Sequence, residues 1–298
     1  MAFPRLNALS YWLYALGGVV LFLSFFAKGG PAKSGWTGYV PLSTVHSPGN
    51  GQDLWILSLH ILSISSLVGA INFIVTIHNM RTRGMTWMRM PLFIWAIETY
   101  AILLVLVLPT LSAALTMLLL DRRGYTHFFL PNAGGSQILY QHAFWFFGHP
   151  EVYIMVLPGM GVMSELIANF SRKNIFGYKF VAFSSLAIAV FGFLVWGHHL
   201  FVAGQSVYAG MIFSFLSFAV AIPSAIKVFN WTATLYKGSI SYDTPMLYAL
   251  GFIGLFTIGG MTGLFLASLA VDVHLSDTYF VIAHFHYIMV GGTLLAYL

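Results

Sequence analysis

No cysteine occurs among the 298 residues. That excludes disulfides, iron–sulfur clusters, thiolate metal sites and covalent c-type haem attachment. Charge is scarce too: Asp, Glu, Lys and Arg make up 7% of the chain, against about 25% in a soluble domain. No glycine-rich phosphate loop follows a strand, and no basic cluster interleaved with aromatics points to nucleic acid. Met1–Arg5 lacks the charged stretch and short apolar core of a cleavable signal. What remains is apolar. The chain is 59% hydrophobic with a mean hydropathy of +0.84, and it reads as an integral membrane protein, an all-α polytopic transmembrane helix bundle. With thiols absent, the available soft and borderline metal ligands are 11 histidines and 13 methionines.

A membrane span needs about 20 mostly apolar residues. Eight runs meet this, near Tyr11–Ala27, Asp53–Asn79, Pro91–Leu120, Ile138–Phe170, Phe180–Ala203, Val207–Tyr236, Pro245–Ala270 and Thr278–Leu298. Turn signals separate them at Gly29-Gly30-Pro31, Ser47–Gly51 and Asn132–Gly135. The pattern predicts one transmembrane domain over residues 1–298, a piece of a larger bundle that continues at both ends. Arg5, Arg81, Arg83, Arg89, Arg172, Lys173, Lys179 and Lys237 lie on the N-terminal side. Only Lys28, Lys33, Arg122 and Arg123 lie on the other. The positive-inside rule predicts that the N-terminal side faces the cytoplasm or matrix. Lys227 belongs to neither set and falls inside the sixth run.

The fourth run contains W-F-F-G-H-P-E-V-Y at Trp145–Tyr153. His149, Glu151 and Tyr153 are each costly at membrane depth unless they face a protein interior, a cavity or a cofactor. A helix puts His149, Tyr153 and Trp145 on one face and turns Glu151 elsewhere. Pro150 removes a backbone donor there and predicts a kink. A lone intramembrane histidine is as often a hydrogen-bonded strut as a functional group. Three such residues at this spacing favour function.

His198 and His199 are adjacent near the outer end of the fifth run. Neighbours on a helix diverge by about 100°, so both reach one metal only if the helix end loosens or another helix helps. His149 is a candidate third ligand at a compatible depth. Three imidazoles suit copper or zinc with one position open. His284 and His286, about 200° apart on the eighth run, cannot easily share a metal. They suit either two planar cofactors flanking one helix or two separately satisfied histidines. For His46, His60, His78, His127, His142 and His274 the structural reading leads.

These residues together resemble subunit I of the haem–copper oxidases, cytochrome oxidase type. The matches are W-x-x-G-H-P-E-V-Y at Trp145–Tyr153, W-G-H-H at Trp196–His199, I-P-x-x-I-K-V-F at Ile222–Phe229 and D-T-Y-x-V-x-A-H-F-H-Y at Asp277–Tyr287. The chain is similar to spans three to ten of a twelve-span subunit. The resemblance implies copper on His149, His198 and His199, a high-spin haem on His284 and a low-spin haem on His286. The haems would be of haem A type, with Trp145 and Asp272 beside the cofactors. Tyr153 would be cross-linked to His149 and supply an electron and a proton. Glu151 would receive protons from a channel lined by Asn7, Ser65, Ser66 and Asn72. Lys227, with Ser164 and Ser224, would form a second path to Tyr153. Asp277 keeps half of the family's His-Asp magnesium site, while Ser276 stands where the histidine would be. The second axial histidine of the low-spin haem and the acid at the first channel's mouth belong upstream of Met1. Glu98, an acid near the inner end of the third run, has no family role.

The function implied is four-electron reduction of dioxygen coupled to proton pumping in a bacterial plasma or mitochondrial inner membrane. Oxidase subunits II and III would be partners, and cytochrome c would donate electrons through subunit II. A quinol oxidase, a nitric oxide reductase of the same superfamily and a cofactor-free proton-coupled transporter are the alternatives. Tyr153 and Lys227 speak against the reductase.

Overall fold

The computed structural model describes residues 1–298 and contains helices and no strands. Seven helical stretches are long and apolar enough to cross a membrane. α1 is Pro4–Leu23, α2 is Asn50–Asn79, α3 is Leu92–Arg122 and α4 is Gln137–Phe170. A shorter apolar helix, α5, covers Tyr178–Gly192. The next span is built from α6, Val207–Ala219, and α7, Ala221–Leu235. α8 is Thr244–Ala267, α9 is the short Leu269–Leu275, and α10, Tyr279–Ile288, runs into a π-helical stretch at Met289–Leu294 and the terminal α11, Leu295–Tyr297. The expected bundle of about eight spans is thus present.

The fifth and sixth expected spans are interrupted, and both interruptions have a local cause. The fifth run stops being α-helical at Gly192, a residue with one of the lowest helix propensities. The chain resumes as a tight 3-10 turn at Trp196–Leu200. The sixth run breaks at Val220. Pro223 cannot donate to the carbonyl four residues back, and its ring crowds that carbonyl. Ser224 turns its hydroxyl to the Val220 carbonyl at 3.2 Å. By contrast, α4 continues through Pro150 and Pro158.

The chain forms two compact units. One contains Met1–Met80 and Leu104–Gly148, the other Arg81–Leu103 and His149–Leu298. In the first, α1 lies along α2 and is fastened by polar groups. Asn72 accepts from the Phe3 amide at 3.0 Å and donates to its carbonyl at 3.3 Å. Ser65 and Ser10 exchange hydroxyl-to-carbonyl bonds at 2.6 and 3.0 Å. The loop between α1 and α2 is held by Arg122, which donates to the carbonyls of Ser43, Ser47 and Gly49 and to Asp53.

The Arg122 and Asp53 side chains are only 5% and 15% exposed, whereas Arg123, the second partner of Asp53, is 54% exposed. Removing one partner of a buried pair leaves an uncompensated charge and costs about 3–5 kcal/mol. An exposed pair contributes about 0–1 kcal/mol. Arg122→Ala is therefore expected to lower the thermal midpoint in detergent clearly and Arg123→Ala hardly at all, as circular dichroism can measure. Equal midpoints for the two variants would remove the clamp.

Candidate metal centre

His149 projects from the middle of α4 and is 6% exposed. His198 and His199 come from the 3-10 turn after α5. One ligand atom from each of the three imidazoles falls within 4.8 Å of the others. Nδ1 of His149 lies 3.3 Å from Nε2 of His199. The tight turn makes this possible, because two adjacent histidines on a regular α-helix would diverge. Gly197 lets the turn seat against α6. A Cβ there would come within 2.6 Å of three ring carbons of Phe213. Trp196 packs edge-on against the same ring at 4.9 Å, and Gln205 donates to the Gly197 carbonyl at 2.9 Å.

The hydrogen bonds assign which nitrogen can bind a metal. Ser217 on α6 donates its hydroxyl to the Phe213 carbonyl at 2.6 Å, so it can only accept from Nδ1 of His198, 2.8 Å away. Nε2 of His198 is left with its lone pair. An outer hydroxyl that orients an imidazole in this way is usual for a metal ligand. Nε2 of His149 is buried and has no hydrogen-bond partner, an unfavourable state for a buried polar atom. The Tyr153 ring stands edge-on to His149, with centroids 4.7 Å apart. Three converging imidazoles, with Nδ1 of His149 turned toward Nε2 of His199, fit a copper-type ion.

His284 on α10 lies near enough to His149, His198 and His199 to interact with each electrostatically. Its Nδ1 is 2.9 Å from the Gly259 carbonyl and 3.2 Å from Oγ1 of Thr262. Thr262 donates its own proton to that carbonyl at 2.7 Å. Nδ1 of His284 therefore carries the hydrogen, which leaves the lone pair on Nε2. Gly263 completes the seat, since a Cβ there would meet Cε1 of His284 at 2.9 Å. His286 is exposed, stacks on Phe285 at 4.6 Å and turns Nδ1 to the Ile282 carbonyl at 2.8 Å. Its Nε2 is likewise left over. Each histidine presents one nitrogen in the manner of an axial haem ligand, and the two sit in different surroundings.

Glu151 is half-buried, and Tyr100 and Tyr297 lie close enough to interact with its charge. Tyr297 donates to the Met155 carbonyl, one turn along α4, at 2.9 Å. Lys227 is 2% exposed, and its ammonium donates to Ser185 Oγ at 2.7 Å and to the Val181 carbonyl at 3.1 Å, both on α5. Ser224 turns its hydroxyl to α7's own backbone. Ser164 is 1% exposed, donates to the Met160 carbonyl and accepts from Trp231 Nε1 at 2.9 Å.

Other expected residues have different settings. Asn72 and Ser65 are buried as fasteners of α1, Ser66 is half-buried and Asn7 is exposed. Trp145 donates to the Tyr39 hydroxyl and packs edge-on against Trp36. Asp272 is buried on α9, where burial and then the Asp277 carboxylate push its carboxyl up to about 6. Asp277 itself is exposed, with a left-handed φ of 58°. Ser217, Ser185, Thr262, Tyr100 and Tyr297 escaped sequence reasoning. Each matters through contact with a residue on another helix, and no local motif marks it.

The whole chain, residues 1–298, matches the family model described as cytochrome c and quinol oxidase polypeptide I. It is 50% identical over 296 residues to cytochrome c oxidase subunit 1 of Cereibacter sphaeroides, covering 98% of this chain and 52% of that protein. It is 47% identical over 292 residues to the Bacillus subtilis subunit 1, covering 98% of this chain and 47% of that protein. The Bacillus sp. strain PS3 subunit 1 is 47% identical over 298 residues, 100% of this chain and 48% of that protein. The chain thus spans about half the length of the curated relatives it matches.

Proposed function

The chain belongs to the cytochrome c and quinol oxidase polypeptide I family, and on that premise we propose that it carries the dioxygen-reducing centre of a proton-pumping cytochrome c oxidase. It would act as one transmembrane domain over residues 1–298, with its N-terminal side inside. Oxidase subunits II and III would complete the complex, and cytochrome c would deliver electrons through subunit II. No thiol is available here for a copper–thiolate entry site, which agrees with electrons entering through a partner.

The observation that carries the reading is the three-imidazole cluster with the Tyr153 ring edge-on to His149, whose buried Nε2 has no hydrogen-bond partner. His149, His198 and His199 would hold copper. His284 would hold a high-spin haem and His286 a low-spin haem, both of haem A type. When bound, these groups supply electron transfer and the reduction of dioxygen to water. Asp272 and Trp145 lie in the segments that would border the haems, and Asp277 would supply one ligand to a magnesium ion.

The chain's own residues account for proton supply. The phenol of Tyr153 can give up a proton and an electron and must then be reprotonated. Lys227 would do this, with Ser164 and Ser224 along its path. Asn7, Ser65, Ser66 and Asn72 would line the route to Glu151, which passes protons inward. Moving one charge across the potential costs about 2.3 kcal/mol per 100 mV, so isolated ionisable groups at depth need a redox reaction to drive them. His149 Nε2 is the atom that would be joined to the Tyr153 ring, its proton and one ring hydrogen being lost as two electrons pass to dioxygen, the substrate of the proposed reaction.

The intact complex tests this reading. Two spectrally distinct haems, copper and dioxygen consumption with reduced cytochrome c are the expected results. Non-haem iron in place of copper would assign a nitric oxide reductase, and the absence of a haem band would return the chain to proton-coupled transport.

A further inference from the structure

We propose that the inner end of the α3–α4 pair in the second unit is a binding site for one anionic phospholipid. The headgroup phosphate would sit in a polar cavity and one acyl chain in the apolar groove beside it. The cavity encloses about 290 Å³ and is bordered by Arg89, Lys173, Asn174 and Tyr178. That is near the lower end of the size of small-molecule sites, about 300–1,000 Å³. The groove, about 400 Å³, is lined by Phe93, Ile94, Val162 and Leu166 and shares Pro91 and Glu165 with the cavity. A cavity bordered by cationic side chains beside an apolar slot along two membrane-spanning helices matches the shape of a headgroup joined to a chain.

The close approach of the helices explains the slot. At Gly161 on α4, a Cβ would meet Ala96 Cβ at 2.8 Å and Phe93 Cα at 2.9 Å. The α4 backbone at Gly161 therefore lies directly against Ala96 and Phe93 on α3. Val162 and Leu166 on one side, and Phe93 and Ile94 on the other, flank the line of contact.

Charge selects the headgroup. Arg89 is exposed at the cavity mouth. Lys173 is held in the wall by the carbonyls of Tyr236 at 2.6 Å and Ala233 at 3.3 Å, at the C-terminal end of α7. An ammonium has three donors, so one N–H of Lys173 remains to be used. The single carboxylate, Glu165, is turned into the start of α3, where it accepts from the Leu92 amide at 2.7 Å. Tyr178 is locked by donating to the Met90 carbonyl at 2.6 Å and accepting from Trp95 at 3.0 Å, which keeps that wall rigid. On the membrane orientation proposed above, the site faces the leaflet in which anionic lipids concentrate.

The test uses the whole oxidase complex in nanodiscs with phosphatidylglycerol or phosphatidylcholine carrying a photo-activated diazirine on one acyl chain. Labelled peptides are located by mass spectrometry. Labelling at Phe93–Ile94 and Val162–Leu166 is expected to favour phosphatidylglycerol. Each cation near the surface accounts for a factor of about five in anionic-lipid binding, so Arg89→Gln should reduce the preference about fivefold and Arg89→Lys should largely retain it. Equal labelling by the two lipids, no labelling at these positions, or an unchanged preference in Arg89→Gln would overturn the proposal. So would loss of labelling on adding inorganic phosphate alone, which would make the cavity a free-anion site. Because the readout is labelling, a failed oxidase assignment would leave it intact.

Discussion

His198→Ala is expected to abolish dioxygen reduction and empty the copper site while both haems stay in place. The substitution removes one of three imidazoles whose ligand atoms fall within 4.8 Å of one another, and nothing else in the 3-10 turn can replace it. Ser217 supplies a graded comparison. Its hydroxyl only orients His198 Nδ1 at 2.8 Å, and loss of such an orienting partner typically weakens metal binding about 10–100-fold. Ser217→Ala should therefore retain copper at high supply and lose it under mild chelation, whereas His198→Ala should lose it in both conditions. Copper by mass spectrometry, haem by absorption spectrum and dioxygen uptake on the same samples decide the matter. Full copper occupancy in His198→Ala would refute the assignment.

Lys227→Met should leave folding, haems and copper intact but slow anaerobic reduction of the high-spin haem. General acid–base groups typically contribute about 10²–10⁴-fold, and a loss of that order is the expected outcome. A lysine near the inner end of a span could simply extend to the headgroups, which is the common behaviour of a lone lysine. The geometry opposes that here, because the residue is 2% exposed and its ammonium is bound to Ser185 and the Val181 carbonyl on α5. Methionine fills a similar volume. The Ser185 hydroxyl it abandons retains the Val181 carbonyl as a 3.4 Å partner, so the packing of α7 on α5 should survive. An unchanged reduction rate would make Lys227 a strut between those helices. The Ser185 contact also changes which hydroxyl matters most, since Ser224, closer in sequence, bonds to its own helix.

The sequence by itself determined the solvent, the element type and the candidate residues. Apolar runs longer than about 20 residues can bury their backbone in lipid only as helices or closed barrels, and the helices appear where those runs lie. The cost of burying His149, Glu151 and Tyr153 singled them out as candidates before any contact was known. Tertiary structure alone decided what their polar atoms meet. The divergence expected of adjacent histidines is removed because α5 ends at Gly192 and a 3-10 turn carries both. Which nitrogen of His198 is left without a hydrogen bond is chosen by Ser217, 19 residues away, and which of His284 by Gly259, 25 residues away. The partner of Lys227 lies 42 residues back. Helical periodicity tells which face a side chain occupies, but a hydrogen bond a few ångströms long depends on how two helices approach and rotate against each other. That is set by contacts such as Gly197 on Phe213 and Gly263 on His284, which no local pattern in the chain encodes.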